Sequence, residues 1–216
     1  MSPEQVSGSE QLRDLLCASC ASQLPLCFED WSPLAKVAYP FAAVMRYEGE
    51  IRKGILDLKF QGDRVWSWLF ALLARYRLAA LKYRPAAIVP IPLGKKRLRT
   101  RGYNQVEAWG EILAATLQIP LLRDALWRVR ESCPQTHMRD RRGREENIRG
   151  VFALEEEIDF SLLAPGGILL IDDVSTSGAT LRAAASELVK SGREVRILVL
   201  ARDEYYAETE RVHKAP

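Results

Sequence analysis

The 216-residue chain predicts an α/β protein: a mostly parallel sheet flanked by helices, preceded by a short irregular N-terminal segment that contains cysteines. Three observations carry this reading. Ala86 to Ile91, Ile168 to Ile171 and Val195 to Ala201 are short continuous apolar runs, which suit strands buried on both faces. They alternate with longer stretches whose apolar residues recur at helical spacing, and that alternation builds parallel sheets through crossover helices. Turn residues, among them Pro90, Pro92 and Gly192, separate the two kinds of run.

Taken in order, residues 1 to 35 show little periodicity and hold Cys17, Cys20 and Cys27, so they form one unit, and residues 36 to 216 form the main domain. Phe41 to Tyr47 reads as a strand, Glu50 to Phe60 as a helix and Val65 to Lys82 as a longer helix. Ala86 to Ile91 is rich in apolar residues and meets a loop at its prolines, as a buried strand does on leaving a sheet. Gln105 to Gln118 places Val106, Trp109, Ile112, Leu113 and Leu117 on one helical face. Ile168 to Ile171 is a buried strand, Ala179 to Ser191 a helix stopped by Gly192, and Val195 to Ala201 the last strand.

A chain with 48% apolar and 27% charged residues has the composition of a globular domain. No stretch reaches the roughly 18 apolar residues of a membrane span; the greasiest, Val65 to Leu81, is interrupted by Arg75 and Arg77. The start, MSPEQVSGSEQLRDLL, lacks the basic region and apolar core of a signal peptide, so a cytoplasmic location is expected. Cysteines in such a chain are metal ligands or free thiols rather than a disulfide framework. The net charge is +3, with cations concentrated in KKRLRTR (Lys95 to Arg101) and RDRRGR (Arg139 to Arg144). Each cluster attracts phosphate or nucleic acid, or is simply a solvated basic face.

The chemistry centres on ILLIDDVSTSGAT, Ile168 to Thr180. In an open parallel sheet, ligands bind beyond the carboxyl ends of the strands, and this segment leaves its strand there. Backbone amides in a glycine-containing turn, the start of the Ala179 helix and the hydroxyls of Ser175, Thr176, Ser177 and Thr180 make an anion nest suited to a phosphate. Asp172 and Asp173 repel a phosphate and need hydroxyl donors or cations. A ribose 5′-phosphate meets both demands, with ring hydroxyls on the aspartates and phosphate on the turn. The GxxxxGK[ST] and GxGxxG nucleotide loops are absent. An acidic helix cap with a hydroxyl-rich turn accounts for one aspartate and one hydroxyl, not for the whole run.

This run resembles the signature of the type I phosphoribosyltransferases. IVPIPLGKKRLRTRGYNQ (Ile88 to Gln105), CPQTHMRDRRGREENIRGVF (Cys133 to Phe152) and YEGEIRKGILDLKFQGD (Tyr47 to Asp63) are similar to the ComF subgroup, phosphoribosyltransferase-like proteins associated with DNA uptake in competent bacteria. The resemblance spans residues 40 to 201 and implies the type I phosphoribosyltransferase fold. It implies that Asp172 and Asp173 are the catalytic acids, and that Ser175, Thr176, Ser177, Gly178, Ala179 and Thr180 bind the 5′-phosphate of phosphoribosyl pyrophosphate (PRPP). Pro90, Ile91, Pro92 and Leu93, with Arg101, Asn104 and Gln105, would form the pyrophosphate loop, although two prolines reduce its supply of amides. Gln135, Arg139, Arg142, Asn147 and Arg149 would belong to a flexible loop that closes over the ligand and excludes water; His137 in that loop reads as a bystander. Mg2+ would bridge pyrophosphate and ribose oxygens, with Asp172 and Asp173 near it.

The resemblance also implies zinc pairs near the N-terminus, but here Cys17-Ala-Ser-Cys20 is followed in that segment only by Cys27, and the fourth ligand of tetrahedral zinc would have to be Cys133, which requires the segment to fold back and pin a loop expected to move. A bound Zn2+ is therefore not expected. The expected function is transfer of phosphoribosyl from PRPP to an acceptor that the sequence does not specify. The alternative is a factor for DNA uptake in natural transformation, a partner of the competence machinery, that binds single-stranded DNA and keeps the PRPP site as a regulatory or vestigial feature. Sequence-tolerant binding of single strands calls for aromatics among the cations, and only Tyr103 stands beside Lys95 to Arg101.

Overall fold

Side chains alternate across a strand, so an apolar run of four to eight residues coats both faces of a sheet and requires cover on each. The computed structural model, which describes residues 19, 23–33, 39–129 and 150–203, meets that requirement. Its main sheet contains β1 (Ser32–Pro33), β2 (Pro40–Arg46), β3 (Ala87–Pro90), β6 (Ile168–Ser175) and β7 (Val195–Arg202), in the order β1-β2-β7-β6-β3. β2, β7, β6 and β3 run parallel, and only β1 is antiparallel to its neighbour.

Ile88, Leu169, Ile171 and Leu198 point to one face, which is covered by α1 (Gly49–Phe60), α2 (Arg64–Ala80) and α4 (Gln105–Leu117). Val89, Leu170, Ile197 and Val199 point to the other. There they meet α5 (Ala179–Leu188) and a two-stranded antiparallel ribbon of β4 (Leu126–Arg128) and β5 (Phe152–Leu154). Burying each such side chain contributes about 1.5–3 kcal/mol, so the two-faced pattern selects the layered arrangement over a one-sided sheet.

The helices expected at Glu50 to Phe60, Val65 to Lys82 and Gln105 to Gln118 form within two residues of those limits. Three local readings change. The strand expected to stop at Ile171 continues to Ser175, because β7 runs alongside it and keeps the ladder going as far as the Ser175–Arg202 pair. The aspartates therefore lie within a strand rather than in a loop after it. The helix expected to reach Ser191 ends at Leu188, and a 3-10 turn, Val189–Ser191, leads into Gly192 at φ +76°. KKRLRTR, read from sequence as a basic cluster with Arg101 in the pyrophosphate loop, is the short helix α3 (Lys95–Arg101), closed by the left-handed Gly102. β1, β4 and β5 have only two or three residues each, too few to show a period.

Residues 24 to 33 run along the outer edge of β2. The Cys27 amide donates to the Val44 carbonyl at 2.9 Å and the Arg46 amide to the Pro25 carbonyl at 2.8 Å. Buried Arg77 of α2 donates to the Ala43 carbonyl at 3.1 Å and also to the Glu29 carbonyl. Among the described residues no helix is long and apolar enough to cross a membrane.

Candidate functional site

The site grows from the end of β6. Ile171 and Asp173 share one face of the strand and Asp172 takes the opposite one, since successive side chains alternate. Asp173 accordingly meets α1 and α4. Its Oδ2 accepts from Gln105 Nε2 at 2.7 Å and pairs with Lys59 Nζ at 2.8 Å, while Oδ1 accepts from the Val174 amide at 2.6 Å. Gln105 is held from behind, its Oε1 accepting from Arg101 Nη1 at 2.9 Å. The Arg101 guanidinium in turn lies 5.2 Å from the centre of the exposed Phe60 ring.

Asp172 has a different environment. Its Oδ1 accepts from the Asp173 amide at 2.8 Å, and among the described residues its other oxygen has no hydrogen bond. Burial, and next the charge of Asp173, push its carboxyl up to about 7; the Asp173 amide, Lys59 and Arg128 pull in the other direction. One acid is thus tied down by a cation and the other is left open and reluctant to ionise.

Beyond Ser175 only Thr176, Ser177 and Gly178 separate β6 from α5. Gly178, at φ +66°, takes the helix cap position with no side chain to cap the first amides. Thr176 and Ser177 are exposed, and the Ser177 carbonyl accepts from Arg182 at 3.3 Å. The Ser175 hydroxyl is buried and has no hydrogen-bond partner among the described residues. Ser175, Thr176, Ser177, Gly178, Ala179 and Thr180 are thereby brought together around uncapped amides at the positive end of a helix.

The stretch assigned to pyrophosphate is arranged otherwise. Pro90 ends β3, and the Ile91 amide donates to the Ile171 carbonyl at 3.0 Å. Pro92 has no N–H, so Leu93 alone of the four keeps an amide outside the sheet. Asn104 is buried and occupied: Oδ1 caps α4 by accepting from the Val106 amide at 3.1 Å, and Nδ2 donates to the Ile91 carbonyl and to Glu107. Arg101 and Gln105 face the acids rather than open solvent. Gln135, Arg139, Arg142, Asn147 and Arg149, together with His137, lie outside the described residues, as do Cys17, Cys20 and Cys133. Cys27 is buried against the core, and among the described residues no three His, Cys, Asp or Glu side chains converge as a metal site. For Mg2+ held mainly by a ligand's oxygens, the open oxygen of Asp172 is a suitable hard donor, whereas Asp173 is already neutralised by Lys59.

Lys59 was missed by sequence reasoning, although a signal was present. It stands four residues after Ile55 and eight after Ile51, on the inward stripe of α1, where a lysine has no reason to be unless an anion waits for it.

A parallel strand carries paired acids to the start of a helix, at the carboxyl edge of a mostly parallel sheet covered on both faces, and this defines an α/β protein with its candidate site at that edge. The chain belongs to the ComF family. It is 30% identical to Competence protein F of Haemophilus influenzae over 196 residues, covering 86% of this chain and 78% of that protein. It is also 30% identical to Competence protein ComFC of Streptococcus pneumoniae, over 74% of this chain and 67% of that one. A shorter match, 30% identical over 108 residues, links it to DNA utilization protein YhgH of Escherichia coli, of which it covers 45%. No family model matches. Among solved structures, orotate phosphoribosyltransferase from Aeropyrum pernix is similar at 18% identity and a TM-score of 0.40, over 71% of this chain and 68% of that chain.

Proposed function

We propose that the protein binds PRPP with Mg2+ at the carboxyl end of β6 and transfers its phosphoribosyl group to an acceptor. The observation that carries this is the buried Ser175 hydroxyl, without a hydrogen-bond partner among the described residues, beside the start of α5 at Gly178, with the open oxygen of Asp172 on the same strand end. The hydroxyl and amides of Ser175 to Thr180 hold the 5′-phosphate, and Asp172 accepts from a ribose hydroxyl. The Leu93 amide and the cations of α3 face the pyrophosphate. Mg2+ supplies charge neutralisation to the leaving group. The bond from C1 of ribose to the pyrophosphate oxygen breaks with both electrons leaving on oxygen, an oxocarbenium-like centre forms, and the acceptor's lone pair adds to C1. A cytoplasmic location goes with this reading.

Calorimetry with PRPP and Mg2+ tests this reading. The wild type should bind, and Asp172→Asn should weaken binding about 10- to 100-fold, the worth of a charge-assisted hydrogen bond. No wild-type binding at millimolar PRPP overturns the proposal.

A second reading, a factor that binds single-stranded DNA during uptake, is favoured by one feature beyond the names of the relatives. Lys95, Lys96, Arg97 and Arg99 are exposed on α3, and the exposed Phe60 beneath Arg101 adds an aromatic that the sequence did not place there. That reading expects oligonucleotide affinity to fall steeply with salt and to drop on Phe60→Ala. Salt-insensitive or undetectable binding removes it.

A further inference from the structure

Two adjacent acids at a ligand site are usually read as equivalent donors. Here the strand sends them to opposite faces, and among the described residues only Asp173 meets a cation at bonding distance. The Lys59–Asp173 pair is largely closed to solvent, with 16% and 11% of the respective side chains exposed. Its oxygen also receives Gln105, which Arg101 holds, and the other Asp173 oxygen receives the Val174 amide. The helix that carries Lys59 is itself held in place. A side chain at Gly54 would meet the Trp66 ring at 2.3–2.5 Å, so α1 lies directly against α2.

We propose that Lys59 is a positioning residue of the site: it holds Asp173 as an internal charge, so that Asp172 alone presents a carboxylate to the sugar. The inference rests on the PRPP reading above and assigns different work to the two acids within it. A carboxylate with two hydrogen-bond donors and a counter-ion in place is stiff, and its stiffness sets the direction in which the next residue back along the strand points. Removing Lys59 would leave a buried charge uncompensated, and the strand end would shift until water or a cation reached it. The ammonium also stands where a metal ion on Asp173 would have to be, which directs any metal to the Asp172 side and to the ligand's own oxygens.

The experiment is calorimetry of Mg2+ and PRPP binding by the full chain, for Lys59→Met, Lys59→Arg, Asp173→Asn and the Lys59→Met/Asp173→Asn double variant. Lys59→Met should weaken binding about tenfold, and Lys59→Arg should recover to within about threefold of wild type. The double variant should bind no more weakly than the poorer single one, because both singles break the same pair. Wild-type affinity in Lys59→Met, or single effects that add in full, overturns the inference while the PRPP reading stands. A wild type that binds no PRPP sinks both. The pair itself has a readout that needs no ligand: the Lys59 ammonium should give a slowly exchanging 15N-coupled NMR signal in the free protein, lost in Asp173→Ala. Absence of that signal in the wild type also overturns the inference.

Discussion

Asp172 and Ser175 are built for something other than stability. An acid whose carboxyl is raised in the folded chain, here from 3.8 to about 7, favours folding only in its neutral form. Its contribution is complete below the ordinary carboxylate range and is lost as pH rises from about 4 through 7, because the unfolded chain then holds fewer protons than the folded one. Asp172→Asn should therefore raise the melting temperature at pH 8, and the gain should shrink as pH falls from 7 towards 4; thermal unfolding at a series of pH values checks the sign. The Ser175 hydroxyl is buried with no partner among the described residues, and such a group costs about 1–3 kcal/mol of desolvation. Ser175→Ala should leave the free protein as stable as wild type or about 1 kcal/mol more stable in denaturant titration, and should lower PRPP affinity. A loss of stability with unchanged affinity would remove Ser175 from the phosphate site. The motif was legible as residue types, but which of the two acids is open was not, since that depends on what each face of β6 meets.

The elements that matter most are β6 and α1. A single-strand reading ends β6 where charge begins, because aspartates are poor strand residues in isolation. Hydrogen bonding to β7 overrides that preference and carries the acids into the sheet, where alternation separates them. Helix α1 was readable from Ile51, Ile55 and Leu58, but its depth against α2 follows from Gly54 lying under the Trp66 ring, itself stacked at 5.5 Å on Phe70. Gly54→Ala should cost about 1–3 kcal/mol of stability by overpacking, and by moving α1 it should weaken PRPP binding with Lys59 intact. Denaturant titration beside calorimetry measures both. If stability falls and affinity holds, the depth of α1 does not matter to the site.

On the scale of the molecule, the described part of the N-terminal stretch is joined to the sheet by a buried cation. Arg77 satisfies carbonyls of Ala43 and Glu29, and burial lowers the affinity of its guanidinium for the proton. Arg77→Met should cost about 2–4 kcal/mol by leaving two acceptors short of a donor in the interior. Hydrogen exchange at the Cys27 and Arg46 amides, which pair this stretch with β2, should then quicken more than exchange in β6 or β7. Equal acceleration throughout would mean that Arg77 supports the whole core rather than this edge. The sequence by itself determined the α/β layering, the main helices and the run of acids and hydroxyls at the end of β6, because apolar periodicity and the residue types of a turn are written within ten or so consecutive positions. Only the tertiary structure decided that Lys59 closes on Asp173, that Arg101 stands behind Gln105, that Asn104 caps a helix, and that a basic run is helical. The contacts of Lys59 and Gln105 with Asp173 join residues far apart in the chain, and the angles at which helices pack on a sheet, which set them, leave no mark in local periodicity; the Arg101–Gln105 bond and the Asn104 cap are local, but the residue types alone do not say which way those side chains turn.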